Sequence, residues 1–395
     1  METIKDRLRA TSIYCHLPFC KSKCPYCDFN SIAIDDPRQL EEIEATYLDA
    51  VLRELKDIST DESILAVRQP PSSVYFGGGT PSLMSPRFFE TLLSAIEDQV
   101  GRSDNTEITI EANPDSIDLN KLREYRKLGI NRLSIGIQSL NDRDLKVLGR
   151  PHTAKEAIDA FKAARKAGFE NISIDLIFAL PDQSLGEWEA VLKEAASLEA
   201  EHISIYGLTI EEGTPFMASK ERGEIKPSPE ALEIEMYERA VEQLTKHGYT
   251  RYEISNFAMP SRESRHNSGY WTGRDYIGLG AGAHSYVSSP DFGKRYWNTS
   301  DVAEYITATA RLERVAGQEL LTKEEAMTEA LMVGLRLTKG ISIDDFKARF
   351  GVTPMELLDY KKLLSLNTLE VPEGQLRLTD KGILLSNEIF KTISP

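Results

Sequence analysis

The chain predicts an α/β fold, a partial (β/α)6 barrel with a C-terminal α+β extension and a small winged-helix-like domain. Three observations lead there. Over the first two-thirds of the 395 residues, six short β-branched runs alternate with longer amphipathic segments, the pattern of a parallel sheet covered by helices. The unusual polar residues fall at or near the C-terminal ends of those runs, the face on which barrel enzymes build their sites. From about Pro227 the alternation gives way to a different order.

Taken in order, the first run, Ser12–His16, leads into a loop of cysteines. Val74–Phe76 leads into Gly77-Gly78-Gly79-Thr80, and Glu107–Ile110 ends at Glu111. Leu133–Ile137 ends at Gln138, Ile172–Ile177 carries Asp175, and His202–Tyr206 is the sixth run. Between them Leu40–Ile58, Phe88–Val100, Leu119–Leu128, Ala154–Ala167 and Glu187–Leu198 have the apolar spacing of covering helices. A doubly wound open sheet is the competing arrangement. It would concentrate the unusual residues at one switch point, whereas here they recur strand after strand, which favours the barrel.

Beyond Pro227, a helix Glu230–Lys246 precedes Tyr249–Ile254 and then a loop rich in Gly, Ser and aromatics as far as Tyr296. From about Leu320 come a helix, a helix pair over Ser342–Phe350 and Pro354–Leu364, a hairpin over Leu369–Leu378 turning at Pro-Glu-Gly, and a terminal helix. That order suggests a winged helix. The domain bounds follow as 1–226, 227–315 and 316–395.

Composition is that of a soluble globular protein, 41% hydrophobic and 28% charged, with a formal net charge of −15. A nucleic-acid binder needs a cationic footprint that this chain lacks. Met1–Ala10 has no apolar stretch of the kind that marks a secretory leader. There is no run of eighteen apolar residues, so no membrane span is expected. Four cysteines, three of them clustered, read as a metal site in a reducing compartment, the cytoplasm, and not as a disulfide framework.

Those three are Cys20, Cys24 and Cys27. A C-x3-C-x2-C run supplies one thiolate fewer than a structural zinc or a closed iron–sulfur cluster takes. A [4Fe–4S] cluster held this way keeps one iron open to a further ligand. Zinc with Cys15 or His16 as fourth ligand is the competitor, although the second hook usual in zinc sites is missing. Cys15, inside a strand, reads as a small buried hydrophobe.

The other motifs are weaker. Gly77-Gly78-Gly79-Thr80-Pro81 is either a plain turn or a place where backbone approaches a small ligand. Glu111, Gln138, Arg150 and Asp175 are either helix caps and surface charges or, because they share one face, partners for hydroxyl, ammonium and carboxylate groups. His266-Asn267-Ser-Gly-Tyr270-Trp271 is either a loop anchored by its aromatics or a haem site with His266 as axial imidazole. In the second case Arg262, Arg265 and Arg274 are near enough in sequence to meet propionates. His152, His202, His247 and His284 are too isolated to interpret.

Tyr14-Cys-His-Leu-Pro-Phe-Cys20-x3-Cys24-Pro-Tyr-Cys27-Asp-Phe, Tyr75-Phe-Gly-Gly-Gly-Thr-Pro81 and Arg132-Leu-Ser-Ile-Gly-Ile-Gln138 resemble the radical-SAM branch that contains oxygen-independent coproporphyrinogen III oxidase. The likeness runs over nearly the whole chain, and within that branch it is most similar to the HemW-type haem chaperones. The resemblance implies a partial (β/α)6 radical-SAM barrel and a [4Fe–4S] cluster on Cys20, Cys24 and Cys27, whose open iron is chelated by S-adenosylmethionine (SAM). It implies Tyr14 beside cluster and SAM, and Gly78, Gly79 and Thr80 on the methionine part. Glu111, Gln138, Arg150 and Asp175 would line the rest of the SAM site.

Two departures separate the chain from the oxidases. Phe29 stands where they have a fourth cysteine, and only nineteen residues precede Cys20, where they have a longer extension. Both match the chaperone branch, as does His266-Asn267-x-x-Tyr270-Trp271, similar to its H-N-x-x-Y-W haem motif. The resemblance therefore implies a haem chaperone delivering haem to an acceptor that the sequence does not name, a membrane haemoprotein among the candidates. The alternative is the oxidase itself, decarboxylating porphyrinogen propionates. Whether the chain is an enzyme stays open, since the SAM-cleaving residues are all present.

Overall fold

The computed structural model describes residues 11–60, 70–288 and 291–393. Met1–Ala10, from which the absence of a leader was read, lies outside them. Six β/α repeats follow one another as expected. The strands are β1 (Ser12–Leu17), β2 (Ser73–Gly78), β3 (Glu107–Ala112), β4 (Arg132–Gln138), β5 (Ile172–Phe178) and β6 (His202–Gly207). They lie side by side in that order and are parallel throughout. Helices α1 (Pro37–Thr60), α2 (Pro86–Val100), α3 (Leu119–Lys127), α4 (Ala154–Lys166) and α5 (Leu185–Ser197) connect them.

Alternation along each strand divides its two faces. Ile13, Cys15 and Leu17 on β1, like Val74 and Phe76 on β2, are buried in the hydrophobic core. Tyr14, His16, Ser73, Tyr75, Thr109, Glu111, Arg132, Ser134 and Asp175 lie on the opposite, polar face. Helix starts are fixed by side-chain caps, as at Thr153 before α4 and Ser184 before α5, where Glu156 and Glu187 complete capping boxes and satisfy orphan amides of the first turn. α5 is also held by Trp188, fully buried, whose indole N–H reaches the Met236 carbonyl at 2.9 Å.

After β6 the chain forms α6 (Glu230–Lys246), β7 (Thr250–Arg251), β8 (Asn256–Ala258), α7 (Arg265–Trp271) and β9 (Tyr276–Leu279). β10 (His284–Val287), β11 (Lys294–Asn298) and β12 (Val315–Leu320) complete the sheet. Its twelve strands run in the order β12-β11-β10-β9-β1-β2-β3-β4-β5-β6-β8-β7. β9 joins β1 in parallel, and β10 to β12 continue antiparallel. The stretch read as a Gly-, Ser- and aromatic-rich loop up to Tyr296 is therefore one helix and four strands, β8 to β11. Its elements are short, and such elements are stabilised by packing more than by propensity. Tyr249–Ile254 likewise contributes only a two-residue strand.

The segment around α7 lies across the polar face of the sheet. Its backbone and side chains touch Ser73 on β2 and Glu107 on β3, while Tyr252 reaches His202 on β6. Ser264 N, beside His266, donates to the Tyr252 hydroxyl at 3.3 Å, so β2 and β6 are bridged through adjacent residues, as the curl of a partial barrel allows. Glu54 fastens α1 to this region. Its buried carboxylate accepts from Gly280 N at 2.9 Å, Asn298 Nδ2 at 2.6 Å and the Tyr305 hydroxyl at 2.6 Å.

The C-terminal part is a separate domain. α8 (Lys323–Gly334) precedes helices at Ile343–Phe350 and Tyr360–Ser365, and a small antiparallel sheet pairs Gln375–Leu378 with Ile341–Ser342 and Leu369–Glu370. Among the described residues no helix is long and apolar enough to cross a membrane.

Candidate functional site

The site forms where the first strands end. β1 runs into the cysteine loop, and Cys20, Cys24 and Cys27 are half-buried free thiols. The loop is pinned to the turn after β2 by backbone: Gly79 N donates to the Leu17 carbonyl at 2.9 Å and Thr80 N to the Phe19 carbonyl at 2.8 Å. A Cβ on Gly79 would lie 2.7 Å from the Phe19 carbonyl oxygen. One on Gly78, whose φ is +118°, would lie 2.7 Å from the His16 ring. Only glycine permits that approach.

Two thiols face donors. The Thr80 hydroxyl is 3.6 Å from Cys20 Sγ, and the Arg150 guanidinium is 3.3 Å from Cys24 Sγ. Both suit thiolate. Burial pushes the Cys20 and Cys27 thiols up, and a bound metal would replace those protons. The two candidates for a fourth zinc ligand are committed elsewhere. Cys15 is fully buried in the core, and His16 bonds the Tyr14 hydroxyl at 2.9 Å and the Asn30 carbonyl at 2.8 Å. Three thiols from one loop, without these two, fit a cluster with one open iron.

Glu111 ends β3 beside the glycine turn. Its carboxylate accepts from the Tyr75 hydroxyl at 2.7 Å and from Gly78 N at 3.2 Å. Burial raises its pKa to about 7, with Asp175 adding to the rise and the two donors and Arg132 opposing it. Asn113 donates to Thr80 Oγ1 at 3.0 Å and accepts from Arg150 Nη2 at 2.5 Å, while Nη2 also reaches the Gly136 carbonyl at 3.1 Å. Gln138 closes β4 with φ of +68°, at a break in the register with β5. Asp175 accepts from Ser134 Oγ at 3.2 Å, and burial raises its carboxyl too. The Tyr14 ring faces Tyr75 at 6.2 Å.

These contacts join the strand-end residues into one region. Sequence reasoning assigned Asn113 and Tyr75 no role. The available signal was their strand spacing, Asn113 two residues past Glu111 and Tyr75 two before Gly77, on the same faces.

His266 lies in the first turn of α7, which Ser264 caps. It is 1% exposed and points inward. Nδ1 lies 2.9 Å from Ser73 Oγ and Nε2 2.9 Å from the Tyr270 hydroxyl, and the ring stacks on Tyr75 at 4.8 Å. Burial, then Arg132, lowers its pKa to about 3, so the imidazole is neutral. An iron on Nε2 would first have to displace Tyr270. Arg265, a sequence candidate for a propionate partner, donates to Asn105. Asn267, Tyr270 and Trp271 are half-buried, and the Arg336 guanidinium covers the Trp271 ring at 4.5 Å. His202 repeats the pattern of His266, between Ser173 Oγ at 2.8 Å and the Tyr252 hydroxyl at 2.9 Å.

With this geometry in place, comparison with known proteins places the chain. Residues 14–195 match the Radical SAM superfamily and residues 321–385 the HemN C-terminal domain. The chain is 38% identical over 388 residues to the heme chaperone HemW of Bacillus subtilis, covering 96% of this chain and 98% of that protein. It is 39% identical over 285 residues to the heme chaperone HemW of Escherichia coli, covering 72% of each. A solved structure of coproporphyrinogen III oxidase (HemN) from Escherichia coli superposes with a TM-score of 0.81 at 22% identity, over 98% of this chain and 91% of that one. That last likeness is one of fold.

Proposed function

The chain belongs to the HemW family of radical SAM proteins, and from that premise we propose that it binds haem and passes it to an acceptor protein. The observation that carries this is the match to a heme chaperone over 96% of the chain. Phe29, 65% exposed at the edge of the cysteine loop, supports it, because an oxidase would have a cysteine there.

The radical SAM fold implies a [4Fe–4S] cluster and SAM. Cys20, Cys24 and Cys27 would hold the cluster. The bare backbone at Gly78 and Gly79, with Thr80, would hold the methionine part of SAM, and the Arg150 guanidinium would meet its carboxylate. Glu111, Gln138 and Asp175 would line the remainder, with Tyr14 packed alongside. Bound together, cluster and SAM supply one-electron radical chemistry. The protein's own contribution is positional. Tyr75 and Gly78 orient the Glu111 carboxylate, and Tyr75 is itself stacked between Tyr14 and His266. Asn267, Tyr270 and Trp271 would offer haem an aromatic and amide surface, and the acceptor would be a haemoprotein, a membrane one included. Four free thiols suit a reducing compartment, the cytoplasm.

The test is a hemin titration of anaerobically reconstituted protein, run beside a coproporphyrinogen decarboxylation assay. A saturable Soret band without decarboxylated product is expected. Absence of haem binding, or product at catalytic turnover, overturns the chaperone reading.

A further inference from the structure

His266 is buried with both nitrogens engaged, which raises the question of where on this molecule an iron porphyrin could find an imidazole. One open cleft answers it. About 620 Å³ in volume, it lies between the outer strands and α8, lined by Tyr276 of β9, His284 of β10, Arg295 of β11, and Glu329, Met332 and Val333 of α8. That size falls within the roughly 300–1,000 Å³ of small-molecule sites.

His284 is exposed and lies flat against Trp297, its partner on β11, with ring centroids 5.7 Å apart at 19°. The other histidines each have a ring nitrogen in a hydrogen bond; among the described residues His284 has none. Partial burial of the ring, with the Arg295 charge adding to it, lowers its pKa, which favours the neutral, ligating imidazole. On the facing helix Met332 is 40% exposed, and its thioether is the second partner of a familiar haem-ligand pair.

The back wall of the cleft leads to the His-Asn-x-x-Tyr-Trp helix. The Tyr276 ring meets Tyr270 edge-on at 4.7 Å, Tyr270 meets His266 at 5.0 Å, and His266 stacks on Tyr75, which bonds Glu111. We propose that this cleft seats the haem, with the His284 imidazole as an iron ligand, and that the helix bearing His266 is the wall behind it. The inference rests on the haem-chaperone reading and deepens it. His266 becomes a positioning residue, holding Tyr270 and through it Tyr276.

Charge sets the orientation. Glu329 pairs with Arg295, and Glu325 caps α8 by accepting from Thr322 N at 2.8 Å, but with Glu324 they leave the α8 side of the cleft acidic. Haem propionates would therefore face away from the α8 glutamates. A porphyrin held by ligation and an aromatic floor, against repulsion from those glutamates, is a cargo that can be released.

The test is hemin titration of the full chain followed at the Soret band, with His284→Ala, Met332→Leu and His266→Ala beside the wild type. His284→Ala should weaken binding on the order of tenfold or more, as loss of support at a metal site does, and shift the Soret maximum. Added imidazole should restore the wild-type spectrum. Met332→Leu should change the spin state, and His266→Ala should keep imidazole ligation with lower affinity. His284 is exposed, so an unchanged circular dichroism spectrum is expected to exclude misfolding. Wild-type affinity and spectrum in His284→Ala would overturn the inference while leaving the chaperone reading intact. No haem uptake by the wild type would overturn both.

Discussion

Gly79→Ala tests the junction between the cysteine loop and the glycine turn. The new Cβ would lie 2.7 Å from the Phe19 carbonyl oxygen and 2.9 Å from its carbonyl carbon and amide nitrogen. Ordinary contact begins at 3.4 Å, so the two backbones must part by about 0.7 Å. Neither side yields easily. Phe19 is fully buried, packed edge-on against Tyr47 at 5.0 Å, and its strand pairs with Ile32. Separation weakens the Gly79–Leu17 and Thr80–Phe19 hydrogen bonds, at about 0.5–1.5 kcal/mol each. Overpacking adds about 1–3 kcal/mol, so the expected loss is about 2–6 kcal/mol. Urea unfolding of the metal-free protein measures it, and iron and sulfide analysis after reconstitution should show reduced cluster content. Gly186→Ala is the control: on α5, with no atom within 4 Å of its Cβ, it should be neutral or stabilising by up to about 1 kcal/mol. A Gly79→Ala protein within about 0.5 kcal/mol of wild type and with full iron would refute the reasoning.

Three further outcomes are expected. Glu54→Ala leaves the Gly280 amide, Asn298 and Tyr305 without their shared acceptor and should cost about 3–5 kcal/mol by urea unfolding, as breaking a buried charged network does; a loss below 1 kcal/mol would show that water replaces the carboxylate. The Glu111 carboxyl, raised from 4.5 to about 7, binds more protons folded than unfolded between those values. Its stabilising contribution is therefore complete below about pH 4.5 and lost as pH rises through about 7. The wild-type urea midpoint should fall relative to Glu111→Gln between pH 5 and pH 8, and a pH-independent difference would contradict the assignment. Arg150→Met removes the guanidinium facing Cys24 and should weaken SAM binding by about 1.5–3 kcal/mol in calorimetric titration of the reconstituted protein; unchanged affinity would remove Arg150 from the SAM site.

The barrel repeats were legible because each strand and helix states its period within a dozen residues. β1 to β6 and α1 to α6 lie within a few residues of where alternation and apolar spacing put them. The stretch from Pro260 to Tyr296 was not legible. α7 contains Gly269 and Asn267, and β9 to β11 are short and separated by glycines, so each exists only because a neighbour pairs with or packs against it. The strand-end residues could be named from position, but not the contacts among them. Asn113 became a site residue once Arg150, thirty-seven residues away, was seen bonded to it.

What the sequence determined by itself is the content of the cysteine loop, because three thiols within eight residues must share one place whatever the rest of the chain does. It also determined the order of the sheet's central strands and the face on which Glu111, Gln138 and Asp175 stand, since side-chain alternation is a property of the backbone. The tertiary structure alone decided the fate of the histidines. His266 and His284 are near in sequence and alike in chemistry, yet one is dried and bonded at both nitrogens, and the other stands open in a cleft. That difference comes from the neighbours the fold supplies, Ser73, Tyr75 and Tyr270 around one ring and the face of Trp297 against the other. Burial and partners, which a linear pattern does not encode, set which imidazole is free to take a ligand.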